Sequence, residues 1–148
     1  MEATTTTTKI YRVMWLRVLA DWFEEDTDPA RAACFGFVFV DIEKGRSLAE
    51  LQRMVDGYIE AVDCRGRVGV ERLDFYANEN GIAEGKPHNV PASLIAGQPI
   101  VGDVVFAAGV DSEGDMVGLT PEEEAKLRSF CLACGFAKLD ETGMHFRN

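Results

Sequence analysis

The side chains best suited to binding chemistry fall between residues 58 and 89 of this 148-residue chain. They are one tyrosine, two glutamates and two asparagines: Tyr58, Glu60, Glu79, Asn78 and Asn89. Carboxylates accept hydrogen bonds and carboxamides both donate and accept them, so such a group can hold a polar ligand. If the strands that carry Glu60 and Asn78 are neighbours, the five side chains line a cleft at one sheet end. We therefore predict that these residues bind a ligand.

The same polar residues also have a structural interpretation, which the sequence leaves open. Asparagine commonly caps helices and stabilises turns, and Glu60 fits the half-exposed face of a strand. Two carboxylates can act as general acid and general base, but no nucleophile or metal motif accompanies them in the sequence. The sequence leaves enzymatic activity open, favours a non-enzymatic role, and predicts no cofactor and no metal site.

Two further motifs have a chemical and a structural interpretation. Cys131-x-x-Cys134 lies at the end of a predicted helix, whereas redox pairs normally lie at a helix start, so we predict packing thiols. The segment from Asp111 to Asp115 resembles a calcium loop in part but lacks the glutamate at its twelfth position. We interpret that segment as a hairpin turn.

The charge of the chain limits its partners. It carries 25 acidic and 15 basic residues, a formal net charge of −10. Such a charge disfavours direct contact with nucleic acid, whose phosphates attract cations, although mimicry of DNA by carboxylates remains an alternative. The apolar run at Phe37–Val40 is far shorter than a membrane span, and Met1–Thr8 lacks a signal-peptide pattern. We expect a cytoplasmic protein with no membrane partner.

The stretch SLAELQRMVDGYIE, residues 47–60, is predicted to position much of the site. Ser47 and Glu50 have the spacing of a capping box at a helix start. The apolar face of this helix comprises Leu48, Leu51, Met54, Val55 and Tyr58. Gly57 is predicted to close the helix in the left-handed conformation. A strand follows, whose alternation places Tyr58, Glu60 and Val62 on one face.

The remaining elements predict a single α+β domain over residues 9–148, behind a disordered tail at 1–8. Residues 9–25 are ambiguous between strand and helix; we expect a short strand at 9–13 and a helix after it. Further strands are predicted at 34–42, 73–78 and 101–110. Further helices are predicted after Asn89 and after Thr120. Local hairpins favour a mostly antiparallel sheet of about five strands with two to four helices.

Five sequence segments resemble a known family. They are LxxLQxxVxGYIE at Leu48–Glu60, NExG at Asn78–Gly81, PxNxxA at Pro87–Ala92, a segment beginning IVGDVV at Ile100–Gly109, and LTxEE at Leu119–Glu123. The chain is similar in these segments to the domain of unknown function 3846 family, small proteins of bacteriophages, actinobacteria and mobile elements. Asp56 stands where that family usually has glycine. The resemblance implies a phage or mobile-element origin and no established catalytic residue.

These observations give three functional hypotheses. The first is a non-enzymatic accessory protein of a phage or mobile element that binds a host component, either a host protein or a small molecule, in the host cytoplasm, with counter-defence as one such role. The second is a protein that binds or sequesters a small, nucleotide-type ligand through the predicted cleft. The third is an acidic inhibitor that mimics DNA.

Overall fold

The computed structural model describes residues 9–18, 35–133, 137–140 and 143–145. The predicted tail at 1–8, the predicted helix over 19–25, and the cysteines Cys34 and Cys134 lie outside the described residues. Within the described ranges, no helix is both long and apolar enough to cross a bilayer.

A single sheet with helices on both faces forms the fold. Its strands are β1 Ile10–Val18, β2 Phe35–Glu43, β3 Ile59–Asp63, β4 Asp74–Asn78, β5 Val104–Ala107, β6 Ala137–Asp140 and β7 Gly143–His145. The helices are α1 Ser47–Val55, α2 Val90–Ala96 and α3 Pro121–Ala133, and a 3-10 turn spans Arg67–Gly69. The strand order across the described sheet is β3-β4-β5-β1-β2-β6-β7.

The predicted α+β class is confirmed. The five strands from β3 to β2 pair antiparallel with their neighbours. The two strands at the other edge were not predicted: β6 pairs parallel with β2, and β7 returns antiparallel to β6. Both are short, at four and three residues, and so few positions do not establish the period of two that identifies a strand.

The helix predicted after residue 13 is wrong as far as residue 18, because β1 continues to Val18. Tyr11 and Val13 are buried on one face of the sheet, and Met14 and Leu16 are buried on the other. A strand buried on both faces has apolar residues at most positions, so some of them also match helical spacing. β1 pairs with β2 over its whole length and with β5, which makes it a central strand.

Two apolar layers hold the helices on the sheet. One face packs Phe37, Phe75 and Phe106 against residues of α2 and α3. The other face packs residues of β1, β2, β4 and β5 against α1. The alternation predicted for β2 is confirmed, because its phenylalanines lie in the first layer and Val40 and Ile42 in the second.

The predicted start of α1 is wrong. Arg46 is the N-cap residue and makes no side-chain capping bond, while Ser47 is already helical. Glu50 does not reach back to a cap but pairs with Arg53, with 2.8 Å between Oε2 and Nε. The capping-box spacing is therefore present without the capping geometry.

The predicted apolar face of α1 is also too wide. Leu51, Met54 and Val55 are buried, whereas Leu48 is 58% and Tyr58 is 67% exposed. Tyr58 lies beyond the helix, because the chain has already turned at Asp56, which adopts the left-handed conformation predicted for Gly57. The Tyr58 side chain therefore lies at the surface and not in the core.

The predicted start of α3 is confirmed. Thr120 Oγ1 accepts a hydrogen bond from the Glu123 backbone N–H at 3.1 Å, and Glu123 Oε1 accepts one from the Thr120 N–H at 2.9 Å. This reciprocal pair satisfies two N–H groups that have no partner inside the helix.

We expect Thr120→Ala to lower the free energy of unfolding by about 1 kcal/mol, the usual effect of losing an N-cap. Ser47→Ala is the matched control and should leave the free energy of unfolding unchanged, since Ser47 caps nothing. Urea unfolding would measure both as shifts of the midpoint at constant slope. Equal effects of the two substitutions would contradict these assignments.

Candidate functional site

Three of the five predicted site residues line one open depression at the end of β3 and β4. Glu60, Asn78 and Glu79 line it together with the loop residues Ile82 and Val101, and its volume is about 350 Å³. We call this the carboxylate depression. Tyr58 adjoins it through the Glu79 N–H, which donates to the Tyr58 carbonyl at 2.9 Å. Asn89 does not line it.

The register of β3 and β4 places the exposed groups of this site side by side. Glu60 pairs with Ala77, and the Tyr58–Glu79 hydrogen bond extends the register by one pair. Alternation then puts Tyr58, Glu60 and Glu79 on the same face, with Tyr58 opposite Glu79 and Glu60 on the diagonal. All three are exposed, so they present an aromatic ring and two carboxylates to solvent.

Asn78 is 5% exposed and is held by hydrogen bonds within the protein. Its Nδ2 donates to the carbonyls of Val55 and Asp56, at 3.3 and 2.9 Å, and to Glu84 Oε1 at 3.0 Å. An amide nitrogen has two hydrogens, so one of them is shared between two of these three acceptors. The Asn78 Oδ1 accepts from the Asn80 N–H at 2.7 Å. Asn78 therefore satisfies helix-end carbonyls of α1 that lack partners in the helix.

Gly57 makes this arrangement possible. A Cβ atom at Gly57 would overlap the Asn78 amide. The glycine that ends the helix-closing turn therefore leaves the space that the asparagine fills.

Lys86 adds ionic contacts where the end of α1 meets the loop that follows β4. Its Nζ lies 2.9 Å from Asp56 Oδ2 and 3.8 Å from Glu84 Oε1. The side chain is only 18% exposed, and a Cβ at Gly102 would approach its Cδ within 2.9 Å. The lysine stem thus packs on Gly102 while its ammonium group joins α1 to the loop that follows β4.

Asn89 is fully buried and caps α2, as its sequence context predicts. Its Oδ1 accepts from the Ala92 N–H at 3.1 Å, and its Nδ2 donates to the Gly102 carbonyl at 2.8 Å. Ser93 Oγ donates to the Asn89 carbonyl at 2.7 Å and accepts from the Ile100 N–H at 2.8 Å. Asn89 thus fixes the start of α2 to the segment before β5.

The five predicted site residues therefore have two different roles. Asn78 and Asn89 hold the fold, and the structural interpretation left open by the sequence applies to them. The side chains of Tyr58, Glu60 and Glu79 take part in none of these bonds, and ligand binding by them stays a prediction. Sequence reasoning missed Ile82, which is 73% exposed; an isoleucine directly after Asn80-Gly81 in a polar loop was the available signal.

A second depression lies at the other end of β3 and has a volume of about 580 Å³. Its charged lining residues are Asp63, Arg65, Arg72, Asp74 and Asp111. The Arg65 guanidinium lies 2.9 Å from Asp63 Oδ2. We call this the arginine depression.

Asp74 is the most buried carboxylate of the arginine depression. Burial raises the pKa of its carboxyl group, the Gly109 N–H bond at 3.0 Å opposes this shift, and the nearby Asp63 charge adds to it. A Cβ at Gly109 would lie 3.1 Å from the Arg72 carbonyl, and Gly109 has a φ of +83°. Glycine at this position therefore lets the backbone lie close to Arg72, so that the Gly109 N–H can donate to the Asp74 carboxylate.

The segment at Asp111 forms the predicted hairpin turn. Val110 and Met116 pair across it, and the Asp111 N–H donates to the Asp115 carbonyl at 2.8 Å. The backbone N–H groups of Asp115 and Glu113 donate to Asp111 and lower the pKa of its carboxyl group. These bonds account for the position of the Asp111 side chain in the turn.

The described cysteines are buried. Burial raises the pKa of the Cys64 thiol to about 11, so this group stays protonated near neutral pH and is a poor nucleophile. Cys131 Sγ lies 4.0 Å from Met14 Sδ beneath α3. Both positions agree with the prediction of packing thiols; Cys34 and Cys134 lie outside the described residues.

Fold and site together define a small α+β protein with an open acidic depression beside an exposed edge strand. The chain belongs to the family described as domain of unknown function DUF3846, whose model matches residues 36–130. The match includes every predicted site residue and ends within α3, and it confirms the family resemblance of the sequence motifs. Comparisons with curated proteins and with solved structures found no match.

We expect Gly57→Ala and Asn78→Ala to be strongly coupled. Asn78→Ala leaves buried carbonyls without a donor and should lower the free energy of unfolding by about 1–3 kcal/mol. Gly57→Ala should be similarly harmful, because the new methyl group overlaps Asn78. In the Asn78→Ala background the Gly57→Ala effect should be much smaller, though not zero, since φ at Gly57 is +156°. A double-mutant cycle by urea unfolding measures the coupling; additive effects would contradict the steric account.

We expect Asp74→Asn to alter the pH dependence of stability. The pKa of Asp74 is raised in the folded protein, so the folded protein binds the proton more tightly than the unfolded chain. Wild-type stability therefore falls as pH rises from the unfolded pKa through the folded pKa of this group. The free energy of unfolding of the variant, relative to wild type, should therefore increase between roughly pH 4 and neutrality. Asp111→Asn should change in the opposite direction and below about pH 4, because the pKa of Asp111 is lowered. Differences independent of pH would refute both assignments.

Proposed function

We propose that this protein acts by binding a protein partner through an acidic corner formed by Tyr58, Glu60, Glu79 and Ile82. The observation that carries the proposal is the division of roles among the polar residues. The asparagines are bonded within the fold, whereas the tyrosine and the glutamates face solvent. Large exposed side chains of this kind are available for recognition.

The shape of the corner favours a protein partner over a small ligand. A small-molecule pocket encloses its ligand and directs several polar groups at it, but the carboxylate depression is open and its buried asparagine is already bonded. Tyr58 and Ile82 are 67% and 73% exposed. A tyrosine and an aliphatic side chain beside a depression resemble the apolar anchors that contribute most to protein interfaces.

The charge of the corner favours a basic partner. Glu60 and Glu79 lie on one face, and the chain carries a formal charge of −10. A positive surface would be steered towards such a site and oriented on it. The same carboxylates repel phosphate, which is why a nucleotide-type ligand is the weaker alternative.

DNA mimicry is also the weaker alternative. A mimic needs carboxylates left free to imitate phosphates. Several described acids are paired instead: Arg12 contacts Asp41 at 3.3 Å and Glu124 at 3.1 Å, and Lys44 contacts Asp115 at 3.2 Å. These paired acids are less suited to imitate phosphates, which favours a local acidic corner as the proposed binding surface.

The biological setting of the proposal comes from the family resemblance. A small protein of a phage or mobile element that binds without catalysis would act as an accessory factor on a host component. Counter-defence is one such action, and the host cytoplasm is the compartment in which it would occur.

We expect Glu60→Lys/Glu79→Lys to abolish capture of the partner while leaving the fold intact. Both side chains are exposed, so unfolding should be nearly unchanged. The tagged protein would be incubated with a bacterial host lysate, and bound proteins quantified by mass spectrometry. Glu43→Lys/Glu113→Lys is the matched control, because it makes the same charge change at exposed glutamates outside the corner. A partner retained by the corner variant, or lost equally by the control, would refute the proposal.

A further inference from the structure

Within the part of the chain that the structure describes, the outer edge of β3 carries backbone hydrogen-bonding groups that pair with no other strand. β3 is the terminal strand of the described sheet, and β4 is its neighbour. Edge strands expose a row of N–H and C=O groups that can pair with another chain. The register shows which groups of β3 are exposed.

Backbone bonding alternates along an antiparallel pair. The Glu79 N–H donates to the Tyr58 carbonyl, and the Cys64 N–H donates to the Leu73 carbonyl. Since these pairs are six residues apart on the same register, the intervening even-numbered residues Glu60 and Val62 also bond to β4. The N–H and C=O groups of Ile59, Ala61 and Asp63 therefore point away from β4.

The two depressions flank this edge. Ala61 and Asp63 line the arginine depression, and Glu60 lines the carboxylate depression. Neighbouring residues of a strand point to opposite faces of the sheet. Alternate side chains of a strand added beside β3 would therefore lie on the face of Glu60 and on the face of Ala61 and Asp63.

The charges along the edge of β3 indicate which residue types would suit a strand added there. On the Glu60 face the ionisable neighbours are carboxylates, Glu60 and Glu79. On the opposite face Arg65 is paired with Asp63, and Arg72 and Asp74 complete a mixed lining. A segment with Lys or Arg on the Glu60 face and neutral polar residues on the other matches this pattern.

We propose that an extended basic segment of the partner pairs with the outer edge of β3 as an additional strand. The inference rests on the proposed function for the existence of a protein partner, and adds the mode of binding. Main-chain bonds to Ile59, Ala61 and Asp63 supply affinity, and the carboxylates at Glu60 and Glu79 supply selectivity. This is the general division of roles when a peptide extends a sheet.

The probe is a random decapeptide library displayed on phage and selected on the wild-type protein. Selected peptides should alternate, with Lys or Arg at every second position. On binding, the Ala61 amide should exchange with solvent at least about tenfold more slowly, because its outward N–H becomes bonded. Selection without a binder tighter than about 100 µM, or binding that leaves Ala61 exchange unchanged, would overturn the proposal.

Ala61→Pro tests the same bond by removing the outward N–H. Proline is tolerated in an edge strand where the N–H faces away from the sheet, so the variant should fold. It should weaken peptide binding by about tenfold, because one main-chain bond is lost. Ala61→Thr, which keeps the N–H, should bind as wild type does. Equal binding by the proline variant would overturn the proposal. If that variant fails to fold, the Ala61 amide exchange of the wild-type protein tests the proposal instead.

Sedimentation and the lysate capture distinguish a partner strand from a second copy of this chain and from side-chain contact alone. A wild-type dimer that Ala61→Pro converts to a monomer would make a second copy the occupant and overturn the partner strand. Loss of the lysate partner in Glu60→Lys/Glu79→Lys but not in Ala61→Pro would leave the proposed function standing and strand addition refuted. If the selected peptides need the Ala61 N–H but the lysate partner is still captured after the charge reversal, strand addition at β3 would stand and the proposed function of the acidic corner would be refuted.

Discussion

The hydrogen bonds of the Asn78 side chain fix the junction on which the candidate site depends. They connect the end of α1, the end of β4 and the turn that follows. Unpaired carbonyls at a helix end need donors, and a carboxamide on the neighbouring strand provides them only if the closing turn approaches closely. Gly57 permits that approach. The resulting alignment of Tyr58 with Glu79 places a ring and two carboxylates on one surface.

A second asparagine repeats the same principle on the other side of the loop. Asn89 caps α2 and also donates to Gly102, while Gly102 accommodates the stem of Lys86. Both asparagines therefore secure segments that carry little regular structure. With these segments fixed, the acidic corner and the outer edge of β3 form a surface of set geometry, which would lower the entropy lost if the proposed partner binds.

Local signals in the sequence predicted the elements whose partners are close in the chain. The alternation in β2 and the caps of α2 and α3 involve residues a few positions apart. Part of β1 was wrongly predicted to be a helix, because burial on both faces removes the period of two that identifies a strand. The role of Asn78 was not predictable, because its carbonyl partners lie 22 and 23 residues away. The pattern located the polar residues but could not separate those that hold the fold from those that face solvent.

The most direct test compares the stability of Asn78→Asp with that of Glu60→Gln/Glu79→Gln by urea unfolding at neutral pH. The aspartate keeps the shape of Asn78 but has no donor at neutral pH, and it would face two carbonyls and the Glu84 carboxylate. We expect Asn78→Asp to have a markedly lower midpoint, with a free energy of unfolding lower by about 2 kcal/mol or more, and the glutamine pair to have an unchanged midpoint. An Asn78→Asp variant as stable as wild type, or a glutamine pair that unfolds early, would contradict the division of roles between buried asparagines and exposed carboxylates.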